Sequence, residues 1–361
     1  MAVVTDTSNL IDVHEWRFTA LTDIWTGDAY RRGDRLVRTG LLGSVRWWFE
    51  VVVRGLGGSA CDPSDRWDRC PGPHQDPSGS SHRCVACELF GCTRWARKFR
   101  FEVTDPTGRP VVGAIRRNQE FILRFVPLRP VGREEWALLD LTLRLIAEYG
   151  AMGGRAVLKP SDEPARENRP HHRDYGLVRL EQTPSPPLVA CCKEALREYV
   201  RGGRARQGGW RQVEQGNFAW ASLQNFWCVK DRYLARQDTT YSSFNLVLGR
   251  KQDKSEKERK GKRIVRWSDL LEDPKDEVSR WLAGRRPGGE GDTGPASKKV
   301  LSFKSPQEGR RTFGFVKPDT VSFEEIKSRL KKVWQDFRPE EEFLTGEQIL
   351  DDLCHQRGGS P

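Results

Sequence analysis

Five of the nine cysteines in this chain fall between residues 61 and 92, in a stretch of Pro, Gly, Ser and charged residues with no hydrophobic period. Such a stretch cannot bury enough apolar surface to offset the entropy of ordering it. The cysteines must supply what holds it, through disulfides or through a metal ion. Residues 1–12 show no basic start followed by an apolar run, so no secretory signal is read and a cytoplasmic, reducing location is expected. Metal is therefore the expected staple. Cys84 and Cys87 form a Cys-x-x-Cys pair, the spacing that lets two thiolates grip one tetrahedral ion from a tight turn. Cys61 and Cys70 lie upstream at a distance the loop can fold back, and complete a four-thiolate set. His74, His82 and Cys92 compete for the fourth position. The alternative is a group of buried free thiols, or a redox pair at Cys84 and Cys87. Buried thiols usually sit in apolar sequence, however, whereas Cys61 and Cys70 sit among Asp, Arg, Ser and Pro. The expected site is structural Zn2+ on Cys61, Cys70, Cys84 and Cys87, closed and therefore not catalytic.

Around this loop the periodicity is regular. Glu15–Thr22 alternates, with Trp16, Phe18 and Ala20 on one side, and reads as a half-buried strand. A helix from about Ser44 to Gly55 follows, capped by Ser44, with Val45, Trp48, Phe49, Val52 and Leu56 on its apolar stripe and Glu50 paired with Arg54 on its wet side. Lys98–Asp105 and Phe121–Val126 read as strands, Glu134–Tyr149 as a second amphipathic helix, and Tyr175–Leu180 as a strand. Strand, helix, strand, strand, helix, strand is the split βαβ, or ferredoxin-like, order. The predicted architecture is α+β. An N-terminal ferredoxin-like domain spans residues 1–185 and carries the zinc loop at 57–92, and a second α+β domain spans 186–361. In that second half, Lys193–Val200, Asp276–Leu282 and Phe323–Phe337 read as helices, the last opened by a capping box at Ser322 and Glu325. Phe244–Leu248, Val300–Phe303 and Thr312–Val316 read as strands, and Thr345–Gln348 opens a short final helix. Residues 201–209, 251–262 and 285–299 read as loose, the middle stretch as a solvated charged face or a binding segment. No apolar run is long enough to span a membrane.

The net charge is +11, and 44 of the 61 cations are Arg. Arg offers a rigid fork of donors matched to phosphate and stacks on aromatic planes, so the balance points to nucleic acid. Four stretches could carry the contact. In the first, Arg38 and Arg46 bracket a Gly43-Ser44 turn that opens a helix, and Trp47 lies off the apolar stripe where it could stack on a base. An ordinary helix start with Trp47 in a domain interface reads equally well. In the second, Gly153, Gly154 and Arg155 follow a helix and allow close approach to a phosphate chain, although a plain C-cap explains the glycines too. Arg94 and Arg97 add charge beyond the Cys loop, and Arg31, Arg32 and Arg35 form a basic loop. Asp28 and Asp34 in that loop are the only candidates for orienting a 2′-hydroxyl attack, and loop Asp residues more often serve turns. The six His stand in no metal or triad spacing.

Two runs carry a resemblance. Gly43-Ser44-Val45-Arg46-Trp47-Trp48-Phe49 resembles the first-helix motif of the RAMP superfamily of CRISPR proteins, and Cys84 to Arg100 resembles its Leu-Phe-Gly segment. The doubled Trp, Ala60-Cys61-Asp62-Pro63 and the Phe90-Gly91-Cys92-Thr93 run are most similar to the first-subunit family of the type III-B (Cmr) effector complex. Leu42 stands where relatives often place a cation, and Ala156-Val157-Leu158 replaces the commoner continuation of the Gly loop. The resemblance implies two ferredoxin-like (RRM-like) domains and partners that include guide RNA, target RNA and other RAMP subunits. It implies a non-catalytic, RNA-binding role near the 3′ end of the guide, with Gly43, Ser44, Arg46, Gly153, Gly154 and Arg155 on the RNA backbone. The competing expectation is a metal-independent endoribonuclease, which lacks a convincing acid–base set in this sequence.

Overall fold

The computed structural model describes residues 13–27, 32–62, 68–79, 81–154, 160–164, 166, 169–185, 188, 191–202, 209–213, 218–237, 242–249, 276–284 and 298–355. The chain is α+β, with two four-stranded antiparallel sheets. The first is built from β1 (His14–Ala20), β2 (Phe99–Thr104), β3 (Glu120–Pro127) and β4 (Val178–Gln182), in the order β2-β3-β1-β4. Helix α1 (Arg38–Gly55) lies between β1 and β2 in sequence, and α3 (Arg133–Glu148) between β3 and β4. The second sheet comprises β5 (Phe226–Lys230), β6 (Val300–Phe303), β7 (Arg311–Phe315) and β8 (Leu344–Thr345), in the order β6-β7-β5-β8. The two strand orders are equivalent position for position.

Alternation fixes the first sheet's faces. Trp16, Phe18 and Ala20 are fully buried, and register sets Trp16 opposite Leu123 and Phe18 opposite Phe121. Trp16 donates its indole N–H to Asp140 of α3 at 2.8 Å, so the buried ring keeps its one polar group satisfied. The other face is a lattice of ion pairs, among them Arg124 with Glu102 at 2.9 Å and Arg17 with Glu120 at 3.9 Å. That face offers no aromatic platform.

The helix α1 begins six residues before the position that Ser44 marks in the sequence, at Arg38. Gly40 and Gly43 read locally as a turn, but tertiary contact overrides them. A Cβ on Gly40 would come within 2.9 Å of the Thr26 carbonyl, so only glycine permits this approach. Thr26 Oγ1 in turn accepts the Val37 N–H at 2.8 Å and anchors the helix start from outside it. Further along, Trp48 meets Phe226 and Phe313 of the second sheet at 5.8 and 5.9 Å, and one hydrophobic core runs through both sheets. Glu50 and Arg54 do not lie on a wet side. They are 5% and 4% exposed, and Arg54 donates to the Cys61 and Ala221 carbonyls at 2.7 and 3.1 Å.

The second half corrects one expected strand. Ser243–Leu248 is a helix, because the Ser242 side chain caps Asn245 N–H, and its apolar side packs inward. The helix expected to run to Phe337 ends at Lys331. Most of 201–209, 251–262 and 285–299 lies outside the described residues, but Lys299 is only 1% exposed and belongs to the core rather than to a loose loop.

Asp174 gives a pH-dependent test of the contact between the halves. It accepts backbone N–H bonds from Lys304 and Ser305 at 2.9 and 2.7 Å, yet burial pushes its carboxyl up to about 6. The folded state therefore holds this proton more tightly than the unfolded chain, whose value is 3.8. Stability from this group is present at low pH and is lost as pH rises through about 6, on the order of 2–3 kcal/mol. Asp174→Asn keeps an acceptor for both N–H groups and removes the charge. Urea midpoints of the variant should change less with pH than those of the parent between about pH 4 and about pH 7. Parallel curves would contradict the assignment.

Candidate functional site

Four buried sulfurs meet where the loop following α1 turns back on helix α2 (Val85–Phe90). Cys61 arrives from the α1 side, Cys70 from the loop, and Cys84 and Cys87 stand at the start of α2. Their ligand atoms lie within 4.8 Å of one another, and Cys61 Sγ is 3.4, 3.8 and 3.6 Å from those of Cys70, Cys84 and Cys87. A tetrahedral ion with metal–sulfur bonds of about 2.3 Å needs sulfurs about 3.8 Å apart. The set fits. It is also supplied with donors suited to thiolates. Cys70 N–H points at Cys61 Sγ (3.2 Å), Cys84 N–H at Cys70 Sγ (3.3 Å), Arg46 at Cys87 Sγ (3.1 Å) and Arg211 at Cys70 Sγ (3.5 Å). Hydrogen bonding between the sulfurs pushes the Cys61 and Cys87 thiols up and holds Cys70 and Cys84 below the usual range. These four residues could hold a metal ion. His74 and His82 stand outside the set, His82 turning its Nδ1 to the Asp76 carbonyl at 2.6 Å.

A cleft of about 340 Å³ opens beside this centre. It is lined by Gly43, Arg46 and Trp47 of α1, by Cys92 and Thr93, and by the exposed Arg69. The two sequence runs that carried the resemblance are thus brought to one place.

Of the expected RNA contacts among the described residues, Gly43, Arg46 and Trp47 line this cleft, whereas Arg38, Ser44, Arg94, Arg97, Gly153 and Gly154 do not. Gly43 is exposed, and a side chain there would meet open space. Arg46 is committed elsewhere: it donates to Glu50 (2.9 Å), to the Gly91 carbonyl (2.7 Å) and to Cys87 Sγ. Burial works against its charge, but Cys87 and Glu50 more than compensate and keep it a cation. Ser44 does not cap a helix; its Oγ accepts the Gly153 N–H at 2.9 Å and joins mid-α1 to the Gly-rich turn. Gly153, with φ +106°, and Gly154 pack against Trp25, whose carbonyl accepts the Gly154 N–H at 2.9 Å. Trp47 is half-buried, edge-on to Trp48 at 4.9 Å and to Phe315 at 5.8 Å. Arg38 and Arg94 are exposed, Arg94 donating to the Gln75 carbonyl at 2.9 Å, and Arg97 is half-buried. Arg155 and Asp28 lie outside the described residues. Glu50, Arg211 and Arg69 were not singled out by their sequence context; Glu50 reads as an ordinary wet-side partner of Arg54, and nothing local marks the other two.

The RAMP superfamily family model matches residues 17–157. Among solved structures, the apo form of Cmr1 from Pyrococcus furiosus is similar at 11% identity and a TM-score of 0.40, with 96% of each chain covered. A Csm3-Csm4 subcomplex of the type III-A CRISPR-Cas interference complex is similar at 15% identity and a TM-score of 0.24, over 48% of this chain and 80% of that one. No curated protein sequence matches. No helix among the described residues is long and apolar enough to cross a membrane.

Proposed function

We propose that this chain, whose residues 17–157 match the RAMP superfamily model, is an RNA-binding subunit of a type III-B CRISPR effector complex. It works near the 3′ end of the guide RNA, helps to capture target RNA beside other RAMP subunits, and binds without cutting. Both sheets are read as ferredoxin-like, given their equivalent strand orders. The observation that carries the reading is the single cleft built from the Gly43–Trp47 and Cys92–Thr93 runs, the segments that resemble the first-subunit family. The open surface at Gly43 lets an RNA backbone approach α1 closely and the exposed Arg69 of the lining meets phosphate there, while guide–target pairing supplies sequence specificity. Structural Zn2+ on Cys61, Cys70, Cys84 and Cys87 shapes the part of the cleft lined by Cys61, Cys70 and Cys87, and supplies rigidity rather than chemistry.

Gly43→Asp is the cleanest test, because a carboxylate there fits without a clash and replaces a poor helix former. The folded protein should keep its thermal midpoint and lose affinity for labelled single-stranded RNA. Arg69→Gln should reduce the salt slope of binding by about 0.7, the share of one phosphate on a single strand. Site-specific cutting of repeat RNA that survives EDTA and disappears in Asp28→Ala would overturn the binding-only reading.

A further inference from the structure

Away from the cleft, two basic segments distant in sequence are laid side by side. Residues 105–119 connect β2 to β3 and fold back over residues 32–38, which lead into α1. The join is made by backbone bonds: Leu36 N–H to the Val112 carbonyl and Ala114 N–H to the Asp34 carbonyl, both 3.2 Å, with an antiparallel bridge between Arg35 and Gly113. Ile115, fully buried, roots the hairpin and accepts the Ile24 N–H through its carbonyl at 2.9 Å. This is a bonded platform.

The two segments carry Arg32, Arg35, Arg38, Arg109, Arg116 and Arg117, all exposed. Three acids share the region. Asp23 binds Arg116 at 3.0 Å and accepts the Arg117 N–H at 2.9 Å. Asp105 is used by its own turn, accepting from Thr107 and Arg109 N–H. Asp34 is exposed. The balance stays positive. At the fold of the hairpin stands Val112, 76% exposed, the most exposed large hydrophobic residue among those described. Arginine forks on a hydrogen-bonded backbone that also presents an exposed aliphatic side chain suit a phosphate chain with unstacked bases: the arginines take phosphates and the apolar side chain meets a base face. An acidic protein partner would use the charge and leave Val112 in water.

We propose that the 32–38 segment and the 105–119 hairpin form a second nucleic-acid surface, which grips the backbone of a single-stranded RNA segment and seats a base against Val112. The proposal rests on the RNA-binding reading and adds a site outside the cleft. Arg38 joins the two, since it starts the helix whose middle lines the cleft.

The test measures anisotropy of a labelled oligouridylate with the full chain over a range of salt. Arg109→Gln/Arg117→Gln should weaken binding and make the salt slope shallower by about 0.7 per lost phosphate contact. Val112→Ser should weaken binding with an unchanged slope, because it removes no charge. All three positions are exposed, so unfolding is not expected, and unaltered thermal midpoints check this. Gly43→Asp runs in parallel to separate the two readings. A response to Gly43→Asp with none to the arginine pair overturns the second surface alone. Absence of oligouridylate binding by the parent protein overturns both. Tighter binding of polyglutamate than of the oligonucleotide, abolished in the arginine pair, overturns the proposal in favour of an acidic protein partner.

Discussion

Cys84→Ser is expected to abolish metal binding by the four-cysteine cluster and to unfold the 61–92 loop. Elemental analysis should give about one zinc per chain for the parent protein and a value near zero for the variant. The energetic effect should be large. Apparent binding free energies for structural zinc reach about 10–16 kcal/mol in small domains that are unfolded without it, and that energy is folding energy. Here the sheets and α1 keep a core of their own, so the loss falls first on the loop and α2. Several kcal/mol should still go, because Cys84 and Cys87 are buried in the core and their thiols would lose the partners the ion supplies. The drop should appear as a lower thermal midpoint and as protease cutting within 61–92, and EDTA should reproduce both in the parent. Cys92→Ser provides the contrast: Cys92 is half-buried beside the set but not in it, and zinc should remain. A parent protein that is metal-free and well folded would end the zinc assignment.

That centre was legible in the sequence because composition and spacing are local signals. Cys61 and Cys70 in a polar stretch had no packing reason to be cysteine, and Cys84-x-x-Cys87 fixed the grip. Strand β1 was equally legible, its alternation of Trp16, Phe18 and Ala20 being the imprint of one buried face. Legibility failed where a residue's role is set by something far along the chain. Gly40 and Gly43 signal a turn, and only the Thr26 carbonyl, pressed against α1, shows why a helix needs glycine there. Phe226–Lys230 carries no strand signal in the sequence. It is buried through Val229, covered on both faces, so the alternation that marks a half-exposed strand is missing. Phe244–Leu248 failed the other way: its apolar, partly β-branched composition suits a strand, and the Ser242 cap and surrounding packing decide for helix. Glu50 and Arg54 have the spacing of a solvent pair, and nothing local announces that a second sheet closes over them.

The same blindness governs Arg46, whose substitution separates the two roles open to it. From its position beside Gly43-Ser44 it reads as a phosphate ligand, and Arg46→Ala would then leave the fold intact and make the salt slope of RNA binding shallower. Its donors say otherwise, since all three nitrogens are engaged within the protein. Removing them leaves the Gly91 carbonyl without that donor and strips Cys87 of a cationic hydrogen bond. It also leaves Glu50, whose carboxyl burial already pushes up, dependent on Arg54 alone. Breaking one side of a buried pair typically costs about 3–5 kcal/mol. The Arg46 side chain is 28% exposed, and water can reach part of the gap, so a loss of about 2–3 kcal/mol is expected. Zinc affinity should fall with it, by about 10–100-fold as for other residues that orient metal ligands. Competition with a chelator reads the second effect and denaturant unfolding the first. Arg46→Lys should restore little of either, because an ammonium cannot hold three acceptors in the geometry of a guanidinium fork. An Arg46→Ala protein with parental stability and zinc affinity but a shallower salt slope would return this residue to the RNA surface. It would also make Cys87 the weaker link between the metal centre and α1.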